Sequence, residues 1–158
     1  MRDDIGQLFI DAVREKRQAM WRVAYGILRS GADAEDAVSA AVESTWRHLP
    51  RVRTKEALPA YLMRSVINAA HDELRRRKRT VPVEPLENVL AAPEADRGIA
   101  DYVAEIDEKY RLPLLLKFDE EMQEKVIAAV LRLPRGTVSS RISRGLEMIR
   151  KDVKKEEK

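Results

Sequence analysis

Apolar residues return every three or four positions along most of this chain, and the rhythm has one long break. Ile5, Leu8, Phe9, Ala12, Val13, Met20, Val23, Ala24, Ile27 and Leu28 fall on one stripe of a helix over residues 4–28. Ser30-Gly31 ends it. A second helix starts at Asp33, a good N-cap, with Glu35 and Asp36 well placed in its first turn. Its stripe is Ala34, Ala37, Val38, Ala41, Val42, Trp46 and Leu49, and Pro50 stops it. Arg51 to Ala57 reads as a basic loop. A third helix runs from about Leu58 to Arg79, with Pro59 tolerable near its start. Its inner face is Leu58, Leu62, Val66, Ala69 or Ala70, and Leu74. Three amphipathic helices of this length make one small bundle.

The rhythm fails between Thr80 and about Arg97, where Pro82, Pro85 and Pro93 crowd together. This stretch reads as a partly extended linker. Helical spacing resumes with Ile99, Tyr102, Val103 and Ile106, and continues from Tyr110 to Phe118. A short apolar helix, Val126 to Leu131, then runs into a tight turn at Arg132-Leu133-Pro134. The helix beyond it keeps Val138, Ile142, Leu146, Ile149 and Val153 on one side. That pattern predicts a helix-turn-helix. No segment alternates like a strand. The expected fold is all-α: a three-helix bundle over 1–79, a linker over 80–97, and a helix-turn-helix unit over 98–158.

Several function classes are excluded by what the chain lacks. It has no cysteine, so disulfides and thiolate metal sites are out, and a reducing compartment fits. The N-terminus carries early acids and no unbroken apolar run, unlike a secretory signal. No stretch approaches the ~20 apolar residues needed to cross a bilayer, so the expected location is the cytoplasm. His48 and His71 are isolated, and no Gly-rich phosphate loop, nucleophile elbow or triad is present. We therefore expect no catalytic residue, no metal and no cofactor.

Charge is segregated although the formal net charge is only +3. Arg75-Arg76-Arg77-Lys78-Arg79 are five consecutive cations. A second basic block comprises Arg132, Arg135, Arg141, Arg144, Arg150, Lys151, Lys154 and Lys155. Acids gather at Asp33, Glu35 and Asp36, and again from Asp119 to Glu124. Basic surfaces suit phosphates, and the acidic ones suit another partner. On the last helix, Arg135, Thr137, Ser139, Ser140, Arg141 and Arg144 lie at or near the side left free by its apolar stripe. Arginine forks onto guanine edges, and hydroxyls bind phosphates; the alternative is a solvated basic helix. The run at 75–79 either complements a helix dipole or clamps phosphates. Tyr61, Arg64 and Asn68 share a helical face, which suits an unpaired base, or else a boundary aromatic beside a solvated amide.

Taken in order, these pieces resemble an extracytoplasmic-function (ECF) sigma factor, the minimal two-domain bacterial transcription initiation factor. Asp33-Ala34-Glu35-Asp36-Ala37-Val38 resembles the start of that family's polymerase-binding helix, and Trp46-Arg47-His48-Leu49 its end. Tyr61-Leu62-Met63-Arg64-Ser65-Val66-Ile67-Asn68 resembles its Trp-Leu-Tyr-Arg-Ile-Ala-Arg-Asn segment. Tyr110 to Leu116 and Pro134 to Arg144 are close to the pattern of its second domain. The resemblance implies that Asp33, Glu35, Asp36, Ser39 and Glu43 dock on the β′ coiled coil of RNA polymerase core, and that the β flap is a second partner. It implies that Arg51, Arg53, Lys55, Tyr61, Arg64 and Asn68 handle the −10 element of promoter DNA, with Arg75 and Arg76 on nearby phosphates. The helix from Arg135 would read the −35 element. An anti-sigma factor would clamp both domains of a chain that is monomeric when free. This sequence departs from the family pattern at Ser39-Ala40-Ala41-Val42, which stands for Gln-Glu-Thr-Phe. Tyr61 replaces a Trp, and Arg132 takes a turn position that Gly often fills. Two rivals are a helix-turn-helix regulator that acts without replacing the polymerase sigma subunit, and a sigma-like protein that binds core without melting promoters.

Overall fold

The structure is a computed structural model that describes residues 2–52, 54–80 and 106–156. They form two compact helical units, one before and one after the span 81–105, and no strand occurs among them. Arg53, the linker beyond Thr80, and the expected start of the second unit at Ile99, Tyr102 and Val103 lie outside the described residues.

The N-terminal unit packs α1 (Arg2–Leu28), α2 (Gly31–Arg47) and α3 (Leu58–Thr80) against one another. Only Arg29 and Ser30 join α1 to α2. Arg29 has φ 57°, the left-handed conformation that stops a helix, and its N–H returns to the Tyr25 carbonyl at 2.8 Å. Ser30 is extended, and its Oγ accepts from the Asp33 N–H at 3.3 Å. The N-cap is therefore Ser30 and not Asp33. A short hydroxyl reaches the amide three residues on only from an extended backbone, and at this corner Ser30 has it. Asp33 still sits in the first turn, where negative charge is favoured.

The core of this unit is Met20, Val23, Ala24, Ile27 and Leu28 from α1, and Ala34, Ala37, Val38 and Ala41 from α2. From α3 come Leu58, Leu62, Met63, Val66, Ile67 and Ala70. Three expected core residues face solvent: Ile5 is 49% exposed, Leu8 38% and Trp46 55%. α1 has 27 residues against 17 in α2, so it is about 15 Å the longer and its first turns outrun the partner that would cover them. Trp46 lies outside because its neighbour Thr45 takes the inward position. Thr45 is fully buried and donates from Oγ1 to Ser65 Oγ at 3.3 Å. The Trp46 ring rests instead on Phe9, with centroids 5.2 Å apart. Leu74 and Ala69 are half-buried, so Ala70 is the inward alanine of that pair. The expected basic loop holds two single 3-10 turns, Leu49–Arg51 and Lys55–Ala57.

The C-terminal unit begins with Ile106, buried, and α4 (Glu108–Leu114), capped by Asp107, whose carboxylate accepts from the Lys109 N–H at 3.2 Å. Pro113 lies inside α4 and lacks the amide that would bond the Lys109 carbonyl. Beyond it the backbone widens into a π turn, Leu115–Asp119, closed by the Glu120 N–H on the Leu115 carbonyl at 3.1 Å. Leu112 to Leu116 are all buried. α5 (Glu124–Leu131) and α6 (Arg135–Glu156) follow, with the tight turn where the sequence places it. Arg132 has φ 56°, and its N–H and that of Leu133 both return to the Ala128 carbonyl. The Pro134 carbonyl opens α6 by accepting from the Thr137 and Val138 amides at 3.0 and 3.2 Å. α5 buries Ile127 and Val130, and α6 buries Val138 and Ile142. Leu146, Ile149 and Val153 are half-buried.

α6 approaches α4 most closely at Gly145, which is buried. A Cβ there would meet Leu114 Cδ1 at 2.6 Å and Cγ at 3.1 Å, and Leu114 is itself fully buried. Gly145→Ala would add about 1 kcal/mol in a free helix. Here we expect it to lower the unfolding free energy of the C-terminal unit by about 1 kcal/mol, because overpacking outweighs propensity. Combining it with Leu114→Ala should abolish that increment in a double-mutant cycle read by denaturant melts. Arg132→Gly should raise stability by between about 0.5 and 1 kcal/mol, since the left-handed backbone then meets no Cβ.

Candidate nucleic-acid and polymerase interfaces

The buried positions of α6 decide what it presents. With Val138, Ile142 and Gly145 inward, Arg135, Gly136, Ser140, Ser143, Arg144 and Glu147 are exposed. Gly136, Ser140, Ser143 and Glu147 recur at helical spacing and make one outward stripe with Arg144 beside it. Thr137 and Arg141 are half-buried on its flank. Ser139 leans to the opposite flank. Its Oγ donates to Glu124 Oε2 at 2.9 Å, and Lys117 Nζ lies 3.9 Å from the other oxygen of that carboxylate. Ser139 thus ties α6 to the first helix of the helix-turn-helix. Ser143 is the outward residue that the sequence reading passed over; its three-residue step from Ser140 was the available signal.

Arg144 donates to the Tyr110 hydroxyl, and this bond is the main reason that the phenol sits below its ordinary value of 10.0, with Lys109 adding to it. Lys109 Nζ lies 5.0 Å from the Tyr110 ring centroid. Bond and cation both favour the phenolate.

The face of α3 carries Tyr61 and Arg64, half-buried, and Asn68, exposed, at three- and four-residue steps. Exposed Arg51 and Lys55 stand in the two turns that lead into α3. At the far end of α3 the cations bring their own counter-ions. Arg75 pairs with Asp72, and Arg76 with Glu73 at 2.8 Å. The Glu73 hydrogen bond holds the Arg76 guanidinium above its ordinary range. Arg77 behaves otherwise: it donates to the Leu28 carbonyl at 3.0 Å and pairs with Asp33.

On α2, Glu35, Asp36, Ser39 and Glu43 are exposed, and Asp33 is half-buried. Glu35, Ser39 and Glu43 step by four residues along one edge. Glu43 also pairs with Arg47 at 2.8 Å, but both side chains are about two-thirds exposed, 68% and 67%, and such a pair is weak. Beside Glu35 runs a cleft of about 560 Å³ between α1 and α2, lined by Arg17, Gln18, Trp21, Arg22, Glu35 and Val38. Trp21 stacks on Tyr25 with centroids 5.0 Å apart. Among the described residues no helix is long and apolar enough to cross a membrane, and no His, Cys, Asp or Glu cluster could hold a metal ion.

Comparison with known proteins matches each unit separately. Residues 9–80 fit the family described as Sigma-70 region 2, and residues 97–149 fit Sigma-70, region 4. The ECF RNA polymerase sigma factor SigM of Mycobacterium tuberculosis is 31% identical over 142 residues, covering 86% of this chain and 72% of that protein. The chain belongs to the ECF sigma factors. The RNA polymerase sigma-E factor of Streptomyces antibioticus is 29% identical over 151 residues, 92% of this chain and 84% of its own. The fold is shared with the sigma factor RpoE of Bartonella quintana, solved with the anti-sigma factor NepR. The TM-score is 0.75 at 18% identity, covering 92% of this chain and 96% of that one. This sigma factor is a promoter-directing initiation factor for RNA polymerase. A region 2 spanning α1 to α3 disfavours the reading as a stand-alone helix-turn-helix regulator.

The Tyr110–Arg144 bond makes a titration prediction. The Tyr110 phenol should ionise below 10.0 in the native protein and move upward in Arg144→Ala, read by tyrosine difference absorbance against Tyr110→Phe. Because the native value is depressed, the linked stabilisation is present above the unfolded value and lost as pH falls through the native one. At neutral pH, Tyr110→Phe should leave that component of stability unchanged.

Proposed function

We propose a residue-level division of labour for this sigma factor. The outward stripe of α6 reads the −35 element in the major groove through Ser140, Ser143 and Arg144, with Arg135 at the helix start beside them and Thr137 and Arg141 on flanking phosphates. A helix inserted in that groove distinguishes all four base pairs, and arginine forks onto guanine. Reading by Arg144 exchanges the Tyr110 hydroxyl for a base edge, so the contact replaces a bond already made. Ser139 serves this surface by holding α6 on α5 through Glu124. The α3 face of Tyr61, Arg64 and Asn68, with Arg51, Arg53 and Lys55, captures an unstacked base of the −10 element. Stacking and amide hydrogen bonds there offset the few kcal/mol that extrusion costs. Arg75 and Arg76, whose own side chains are exposed, meet adjacent phosphates by exchanging their carboxylate partners for phosphate oxygens.

The acidic edge of α2, Glu35, Asp36, Ser39 and Glu43, docks on the β′ coiled coil of the polymerase core, with the cleft beside Glu35 as the continuation of that face. The C-terminal unit takes the β flap. The chain performs no chemistry of its own, works as a monomer in the cytoplasm, and is silenced by an anti-sigma factor, as the Bartonella quintana protein is held in a complex with NepR. The observation that carries this reading is the sidedness of α6: buried Val138, Ile142 and Gly145 on one side, exposed Ser140, Ser143 and Arg144 on the other, and exposed Arg135 at the helix start.

In vitro transcription with purified bacterial core polymerase tests it. Arg144→Ala should lower −35-dependent transcription by roughly tenfold, the size of one bidentate base contact, and leave core binding intact. Asn68→Ala should depress permanganate reactivity of the −10 region more than initial promoter binding. Core binding without any permanganate reactivity in the unaltered protein would instead favour a sigma-like factor that does not melt promoters. No co-migration with core on a sizing column at low salt would refute the reading.

A further inference from the structure

The basic end of α3 and the acidic start of α2 touch. Arg77 reaches a residue 49 positions earlier, donating from Nη1 to the Leu28 carbonyl at 3.0 Å, and its Nη2 pairs with the Asp33 carboxylate. Leu28 is the last residue of α1, so its carbonyl has no acceptor role left within its own helix. Asp33 stands in the first turn of α2, where the helix dipole favours an anion. One guanidinium therefore serves the negative end of one helix and a carboxylate at the positive start of the next. The two side chains are only 20% and 29% exposed.

Their neighbours differ in kind. Arg75 and Arg76 pair within α3, and their side chains are 64% and 72% exposed. Glu35 and Asp36, the next acids of α2, are exposed. Burial lowers the Arg77 guanidinium from its ordinary range, a cost that the bound carboxylate and carbonyl must offset.

We propose that Asp33 and Arg77 are a positioning pair: neither meets polymerase or DNA, and together they hold the DNA-facing end of α3 in register with the polymerase-facing start of α2. This rests on the division of labour proposed above. Cutting the pair frees the end of α3 from the corner between α1 and α2, so both partners see misplaced side chains. Asp33 thereby affects the DNA step, and Arg77 affects the polymerase step.

The test compares the full-length protein with Asp33→Ala, Arg77→Ala and the double variant. It measures affinity for purified bacterial core polymerase and, at saturating core, permanganate reactivity of the −10 region. Each single variant should weaken core binding by about fivefold and slow promoter opening to a similar degree, with the double variant no worse than either single one. Arg77→Lys, which keeps the Asp33 pair and gives up the fork, should recover most of the core affinity. Should the alanine variants melt below the assay temperature, Arg77→Gln and Asp33→Asn carry the same comparison. Loss of core binding in Asp33→Ala alone, with loss of opening in Arg77→Ala alone and additive effects in the double variant, would make them direct contacts and overturn the pair. Unchanged behaviour in all variants overturns it too. If the unaltered protein fails to bind core, the proposed function falls; if it binds and the effects are additive, only the positioning pair falls.

Discussion

Small side chains on the inner face of α2 set the geometry of the N-terminal unit. Ala34, Ala37 and Ala41 are buried there with Val38, so α1 and α3 close in on a helix that gives the core little volume. The bulk comes from the two flanking helices, through Met20, Ile27 and Leu28 on one and Leu62, Met63 and Ile67 on the other. A fully buried side chain of that size contributes about 1.5–3 kcal/mol. α2 is thus held mainly by what its neighbours bury, and its opposite edge, with Glu35, Ser39 and Glu43, is left outward. The same economy recurs where α6 meets α4, with Gly145 as the residue that admits Leu114.

Electrostatics then divide the molecule by depth. The exposed pairs, Glu43 with Arg47 and Asp72 with Arg75, cost little to exchange for another partner. The covered contacts, Arg77 with Leu28 and Asp33, and Ser139 with Glu124, join one helix to another. A protein that must release and regain partners keeps its exchangeable charges outside and its fixed ones at helix junctions.

The helices, their order and the turn at Arg132 were legible from spacing, and the resemblance to sigma factors from motif residues such as Asp33 to Val38 and Pro134 to Arg144. Which residues of a stripe are covered was not. Ile5 and Leu8 obey the same period as Met20, but period says nothing of where a shorter partner helix ends. Thr45 and Trp46 are adjacent, and only the narrowness left by the α2 alanines decides that the smaller one turns in. Ser30 and Asp33 are both good caps by type; the left-handed Arg29 before Ser30 selects between them. At the candidate surfaces, Asn68, Ser140 and Arg144 lie outward as the period requires. Ser139 bonds Glu124, 15 residues away, and Arg77 the Leu28 carbonyl, 49 residues away, and helical period carries no sign of partners on another helix.

Trp46 has a practical corollary. The chain holds two tryptophans, Trp21 and Trp46, both in the N-terminal unit and one of them more than half in water on the ring of Phe9. Intrinsic fluorescence excited at the indole band consequently watches region 2 alone, and the half of the protein built on α4 to α6 is optically silent in that channel. Emission wavelength and quencher access then become a built-in gauge of the N-terminal unit, with no dye attached.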